Sequence, residues 1–216
     1  MDGGTVTLPH VVWDMGGIVY RYFTEVMVER GTERGWPIDG VPLGPTRQIP
    51  DADYERMQEG EIDEAEYLAI VVARLRAVGI DDDPTRTIDW QSQERREVWD
   101  AIRSIHRAGH GQAVLTNDAS TWLGPGWWET WEPAGWFDAM VDVATIGERK
   151  PAARPYLAAA EALDADPTEC LFVDDMRVNC RGAEAVGMAS LWFDVRAAGE
   201  STDKLLATLG LAASER

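Results

Sequence analysis

Asp14, Thr116, Lys150 and the pair Asp174-Asp175 are the residues of this chain whose types and surroundings could do chemistry. Asp14 ends the run Val11-Val12-Trp13 and is followed closely by Gly16-Gly17. A β-branched and aromatic run this short, closed by turn residues, reads as a buried strand. A carboxylate at a strand's carboxyl end is placed to act as a nucleophile, a metal ligand or both. The two glycines let the backbone turn and bring amide groups close to an anion. Taken alone, the stretch also reads as a strand with an Asx turn. Thr116-Asn117-Asp118 repeats the pattern after Gln112-Ala113-Val114-Leu115. Its hydroxyl and amide suit phosphate oxygens, and a helix N-cap is the plain alternative. Asp174-Asp175 closes a third apolar run, Cys170-Leu171-Phe172-Val173. Adjacent acids repel unless a cation or hydrogen bonds offset the repulsion. Mg²⁺ takes few carboxylates and keeps several waters, and Asp14 with Asp175 would supply them.

Lysine is scarce: Lys150 and Lys204 are the two in the chain, and arginine makes up the rest of the basic residues. Lys150 falls between an expected strand at 140–143 and an expected helix at 152–163, with Pro151 ending the strand's pairing. A fifth strand is expected at 189–193 and a closing helix at 201–209. Strands separated by helical stretches predict an α/β domain with a parallel sheet. In such sheets ligands bind outside the carboxyl ends of strands. The four polar groups therefore share one sheet edge. Together they suit phosphoryl transfer to a carboxylate: Asp14 attacks phosphorus, while Lys150, Thr116, backbone amides and Mg²⁺ hold the oxygens.

Residues 21–92 differ in character. Apolar positions Tyr67, Leu68, Val71, Val72 and Leu75 recur at helical spacing, acids open that helix at 63–66, and no stretch alternates like a strand. Some 70 residues is long for one crossover, so the segment reads as a helical lobe inserted into the α/β domain. Five of the ten tryptophans lie between Trp122 and Trp136. Trp127, Trp128 and Trp131 fit one helical face, either as a local core or as a wall of the substrate pocket.

A formal charge of −18, from 20 basic and 38 acidic residues, argues against nucleic acid and anionic membranes as partners. No run approaches the ~18 apolar residues of a membrane span, and residues 1–9 do not read as a signal peptide. Cys170 and Cys180 form no metal pattern, and a reduced, cytoplasmic location is expected. No dinucleotide or Walker-type glycine motif occurs. None of the three histidines flanks a candidate nucleophile, so a Ser-His-Asp triad is not indicated. Oligomeric state is not readable.

The ordered set of motifs resembles the haloacid-dehalogenase-like (HAD) hydrolase superfamily, in its helical-cap (C1) phosphatase-like subgroup. Asp14-Met15-Gly16-Gly17-Ile18 resembles the first motif, Thr116-Asn117 the second, Lys150-Pro151 the third, and Asp174-Asp175 with Asn179 the fourth. The turn Glu59-Gly60-Glu61-Ile62-Asp63 resembles the first cap type. The resemblance implies a Rossmann-like doubly wound parallel sheet core at 1–20 and 93–216, with an inserted helical cap at 21–92. It implies a Mg²⁺-dependent hydrolase acting on a small phosphorylated metabolite through an aspartyl-phosphate at Asp14. Thr116 and Lys150 join Asp14 in catalysis, and Lys150 neutralises the phosphate and the nucleophile. Gly16, Gly17, Thr116, Asn117 and Lys150 would bind substrate. Asp14, the carbonyl of Gly16, Asp175 and Asp174 form the implied metal set. The family's phosphatases mostly carry a second Asp two residues after the nucleophile, and here that position is Gly16. General acid–base help is worth roughly 10²–10⁴-fold, which implies slow turnover that favours good leaving groups. The alternatives are attack at carbon, as in the superfamily's haloacid dehalogenases, and a weakly active or non-catalytic protein that binds a phospho-ligand. A phosphonatase would need a cap lysine, and none lies in 21–92. Signalling receivers place their acidic pair first and carry no such lobe.

Overall fold

The computed structural model describes residues 10–46, 49–117, 119–124, 126–143 and 146–211. Residues 1–9 and Asp118 therefore lie outside the described residues, as does the side chain of Trp122. The elements run β1 (His10–Trp13), α1 (Phe23–Arg34), α2 (Ala52–Glu59), α3 (Glu64–Ala77), α4 (Pro84–Thr87), α5 (Arg96–Arg107), β2 (Gly111–Thr116) and α6 (Ala119–Leu123). They continue with α7 (Trp127–Thr130), β3 (Ala139–Asp142), α8 (Ala153–Ala162), β4 (Cys170–Asp174), α9 (Arg177–Ala185), β5 (Ala189–Trp192) and α10 (Ala198–Thr208).

The five strands form one parallel sheet in the order β3-β2-β1-β4-β5. β1 lies in the middle, and the direction of winding reverses across it. This is the expected Rossmann-like doubly wound α/β sheet. Val11, Val12 and Trp13 are fully buried, as a central strand covered on both faces requires. Side chains alternate between faces. Val11 and Trp13 enter one apolar cluster with Val98 and Ile102 of α5 and Leu205 of α10. Val12 enters another with Tyr156 of α8, Phe172 of β4 and Ala183 of α9.

Residues between β1 and β2 hold a third cluster, which includes Phe23, Met27, Leu43, Met57, Tyr67, Val71 and Leu75. α1 runs through Gly31 and stops at Gly35, which adopts a left-handed conformation and caps the helix. Asp51 caps α2, and Asp63 with Glu66 forms a capping box at α3. The chain leaves the sheet past Tyr20 and returns beside its own path. Arg21 N donates to Gln93 O at 2.8 Å, and Arg95 N donates to Val19 O at 2.9 Å. Arg95 is buried there and donates to Gly17 O and Glu25 Oε2.

In the tryptophan-rich segment, Trp127 and Trp131 are buried, and both stack among Trp99, Trp128 and Phe137. Gln112 is wholly buried and satisfied. It accepts from Trp13 Nε1 and donates to Ile102 O and Trp136 O. Trp127 and Trp131 thus serve as a local core against α5, and of this segment Leu123 borders the cavity described below.

Gly182 in α9 permits the closest helix approach near Lys150. A Cβ there would stand 2.6 Å from Pro151 O and 2.7 Å from Tyr156 Oη. Gly182→Ala is expected to destabilise the fold by about 1–3 kcal/mol through overpacking. Gly16→Ala, whose Cβ meets nothing within 4 Å, is expected to be neutral or to stabilise by up to about 1 kcal/mol. Urea denaturation of the two variants checks both.

Candidate active site

The carboxyl ends of β1, β2 and β4 and the loop after β3 converge on one point. Lys150 arrives from that loop with its side chain almost fully buried. Its Nζ donates to Asp14 Oδ1 at 2.6 Å, Asp174 Oδ2 at 2.9 Å and Leu115 O at 3.1 Å. An ammonium has three protons, and all three are used. Burial alone would lower the lysine's pKa, but Asp14 and Asp174 outweigh it, so Lys150 is held charged well above its ordinary range. Asn117 holds the backbone from which Lys150 projects. Its Oδ1 accepts from Lys150 N at 2.9 Å, and its Nδ2 donates to Lys150 O at 3.3 Å. The carboxamide expected to face phosphate is therefore engaged in positioning the lysine. Thr116 Oγ1 accepts from Ala119 N at 3.1 Å, which starts α6, and the residue also borders the cavity.

The two adjacent acids have different surroundings. Asp174 is fully buried and saturated. It accepts from Lys150, from Met176 N at 2.7 Å and from Asn179 Nδ2. Asp175 is 3% exposed, and its Oδ2 has no hydrogen-bond partner among the described residues. Burial, then the charges of Asp174, Asp14 and Glu64, push its carboxyl well above the ordinary range. A side chain on Gly17 would lie 2.7 Å from Asp175 Oδ2, and its φ of +78° is a second reason for glycine there. Carboxylate oxygens of Asp14, Asp174 and Asp175 lie within 4.8 Å of one another, a group that could hold a metal ion. An orphaned buried carboxylate beside two others suits a hard, oxygen-seeking cation such as Mg²⁺.

One contributor escaped the sequence reading. Gln58 of α2 is fully buried. It donates from Nε2 to Asp175 O at 3.0 Å and accepts from Arg177 N at 3.1 Å. Trp192 Nε1 donates to the same Asp175 carbonyl at 2.8 Å. A glutamine within a short helix carries no sequence signal for this role. The bond spans 117 positions, and only the folded chain brings the partners together.

Asp14, Thr116, Asn117, Lys150 and Asp175 line a cavity of about 390 Å³ between the sheet edge and the helical segment. That volume suits a small ligand. Gly16 opens onto it with no atom near its missing Cβ.

Residues 8–187 match the model of the haloacid dehalogenase-like hydrolases. The chain belongs to that family. Phosphoglycolate phosphatase from Salmonella typhi is 28% identical over 94 residues, which is 44% of this chain and 37% of that protein. The match thus spans well under half of the curated relative's length. The putative HAD-hydrolase YfnB from Bacillus subtilis, solved bound to magnesium, is 13% identical with a TM-score of 0.62, covering 94% of this chain and 98% of that one. A dehalogenase solved with an intermediate complex is 14% identical with a TM-score of 0.60, covering 97% and 99%. At these identities the two structures share the fold. Among the described residues, no helix is long and apolar enough to cross a membrane.

Burial pushes the Asp14 carboxyl up to about 7 against the opposing pull of Lys150, and the charge of Asp174 adds to the rise. The folded state thus binds this proton more tightly than the unfolded chain does. The resulting stabilisation is complete below about pH 4 and is lost as the pH rises through about 7. In EDTA, the Tm of Asp14→Asn minus that of the wild type should therefore grow from pH 5 to pH 8, as followed by thermal denaturation.

Gln58→Leu should raise the Kd for Mg²⁺, measured by calorimetry, by more than Gln58→Glu does. A loss of global stability with unchanged metal affinity would mean that Gln58 only packs.

Proposed function

We propose that this chain is a Mg²⁺-dependent phosphatase of small phosphorylated metabolites that uses Asp14 as its nucleophile. The observation that carries the reading is the buried Asp175 beside Asp14, whose Oδ2 has no hydrogen-bond partner among the described residues, with Lys150 already committed to Asp14 and Asp174. Three crowded acids against one ammonium call for a further positive charge.

Lys150 holds Asp14 Oδ1, so the other carboxylate oxygen attacks phosphorus. The P–O bond to the alcohol breaks, its electron pair leaves with that oxygen, and Asp14 becomes an acyl phosphate. Water then hydrolyses the acyl phosphate and restores the carboxylate. Asp174 keeps the Lys150 ammonium directed at the nucleophile, and Asn117 keeps its backbone in place. Thr116 and the amides of the Gly16-Gly17 turn contact phosphate oxygens. Asp14, Asp175 and the carbonyl of Gly16 would hold Mg²⁺, with Asp174 beside them; when bound it offsets charge on the transferring group. The helical segment at 21–92 acts as the cap over the core at 1–20 and 93–216, and its own apolar cluster supports that division. We place the chain in the cytoplasm, where the buried free thiols of Cys170 and Cys180 stay reduced.

Gly16 supplies no proton to the leaving group, which favours esters with good leaving groups. It also favours a second reading, attack of Asp14 on a carbon bearing halogen, since a halide leaves without a proton. p-Nitrophenyl phosphate and 2-chloropropionate, each with and without EDTA, separate the two. Phosphate release abolished by EDTA and by Asp14→Asn supports the phosphatase; EDTA-resistant chloride release supports the alternative. Failure of both assays would point to a phospho-ligand-binding protein without turnover.

Space at Gly16 accommodates a side chain. Gly16→Asp is expected to raise turnover of alkyl phosphates by about 10-fold or more, toward the range of general acid catalysis, with little effect on p-nitrophenyl phosphate. Steady-state kinetics on the two ester types check it.

A further inference from the structure

The cavity wall opposite the sheet edge carries a charge pattern that the proposed reaction does not use. The N-terminus of α3 stands there, and Asp63, Glu64 and Glu66 all border the cavity, with Glu61 just before them. A helix N-terminus ordinarily attracts an anion. Here carboxylates already occupy that end. Asp63 N donates to Glu66 Oε2 at 2.9 Å, and Glu66 N donates to Asp63 Oδ1 at 2.8 Å. Glu64 lies close enough for its charge to help hold up the Asp175 carboxyl.

Carboxylates outnumber cations around the cavity: Asp14, Glu61, Asp63, Glu64, Glu66 and Asp175 border it against Arg21, Arg149 and Lys150. Of these cations, Lys150 is committed to Asp14 and Asp174, and Arg21 pairs with Glu29 at 2.6 Å. The orphaned Asp175 oxygen, 3% exposed and bordering the same cavity, independently marks the end where a cation and the phosphate belong. The remainder of a substrate must then lie against the acidic wall.

Building on the phosphatase reading, we propose that the site selects phosphate monoesters whose alcohol portion carries no negative charge, favours an ammonium there, and rejects esters with a second anionic group. Like charges held close in a partly desolvated cavity repel strongly. The proposal departs from the name of the curated relative, since phosphoglycolate carries a carboxylate beside its phosphate ester.

A two-carbon series tests it: 2-aminoethyl phosphate, 2-hydroxyethyl phosphate and phosphoglycolate, with the full chain and Mg²⁺. The kcat/KM for the hydroxyl ester should exceed that for phosphoglycolate by about tenfold or more, and the amine should match or exceed the hydroxyl. Raised salt should narrow the gap. Glu64→Gln should raise kcat/KM for phosphoglycolate severalfold more than for the other two. Equal use of phosphoglycolate and the hydroxyl ester, or an equal shift of all three in Glu64→Gln, would overturn the proposal. Calorimetric titration of Asp14→Asn with the same esters separates selection from chemistry. The same order of binding without wild-type turnover sinks the phosphatase reading alone, and turnover without that order sinks the selection alone. No binding and no turnover of any ester sinks both.

Discussion

The Lys150 ammonium, shared by Asp14, Asp174 and the Leu115 carbonyl, is the contact on which the site depends. Three carboxylates crowd this point, and burying like charges together is costly unless a partner offsets them. Lys150 offsets two, and it does so as a fully desolvated point charge with every proton used. The contact also closes the fold. It joins the end of β1, the end of β4 and the loop after β3. Asn117 fixes the lysine backbone, and Gly182 leaves room for Pro151 beside it. The negative charge crowded around Asp175 is relieved by a proton on its raised carboxyl or by a cation held among the three acids.

The Asp174-Asp175 pair illustrates how position at a strand end separates two chemically identical side chains. Asp174 is the last residue of β4, and Asp175 lies just beyond the strand. Asp174 ends β4 facing Lys150 and Asn179, and its lone pairs are taken up by donors. Asp175, one residue on, is held through its backbone carbonyl by Gln58 and Trp192, while its Oδ2 accepts no donor. Gln58 comes from the helical segment, so the placement of Asp175 and of that segment are physically linked.

Gly16 brings no carboxylate to the cavity that it borders. The position is open, and the flanking backbone needs no positive φ there. The missing carboxylate is thus a chemical property of the chain, and packing does not demand it. Across the cavity, carboxylates gather at the start of α3 where a helix end would otherwise welcome an anion. Acid is thus absent at Gly16 and abundant at the start of α3.

The alternation of apolar strands and helices, with polar groups at strand ends, was legible in the sequence, because periodicity and turn chemistry are local. It sufficed to place Asp14, Thr116, Lys150 and Asp174-Asp175 along one sheet edge. The helical character of 21–92 was legible for the same reason. Where α1 ends was not: the helix runs through Gly31 to Arg34, and Gly35 caps it in a left-handed conformation. Nor could the sequence assign Asn117 to the lysine backbone or Asp174 to Lys150, or find Gln58. Hydrogen bonds between residues 33, 24 and 117 positions apart decide those duties. Local pattern determines which groups reach the edge of the sheet. Which partner each one finds there is decided only when distant segments close on the same buried volume, because that is where desolvation makes every unpaired charge count.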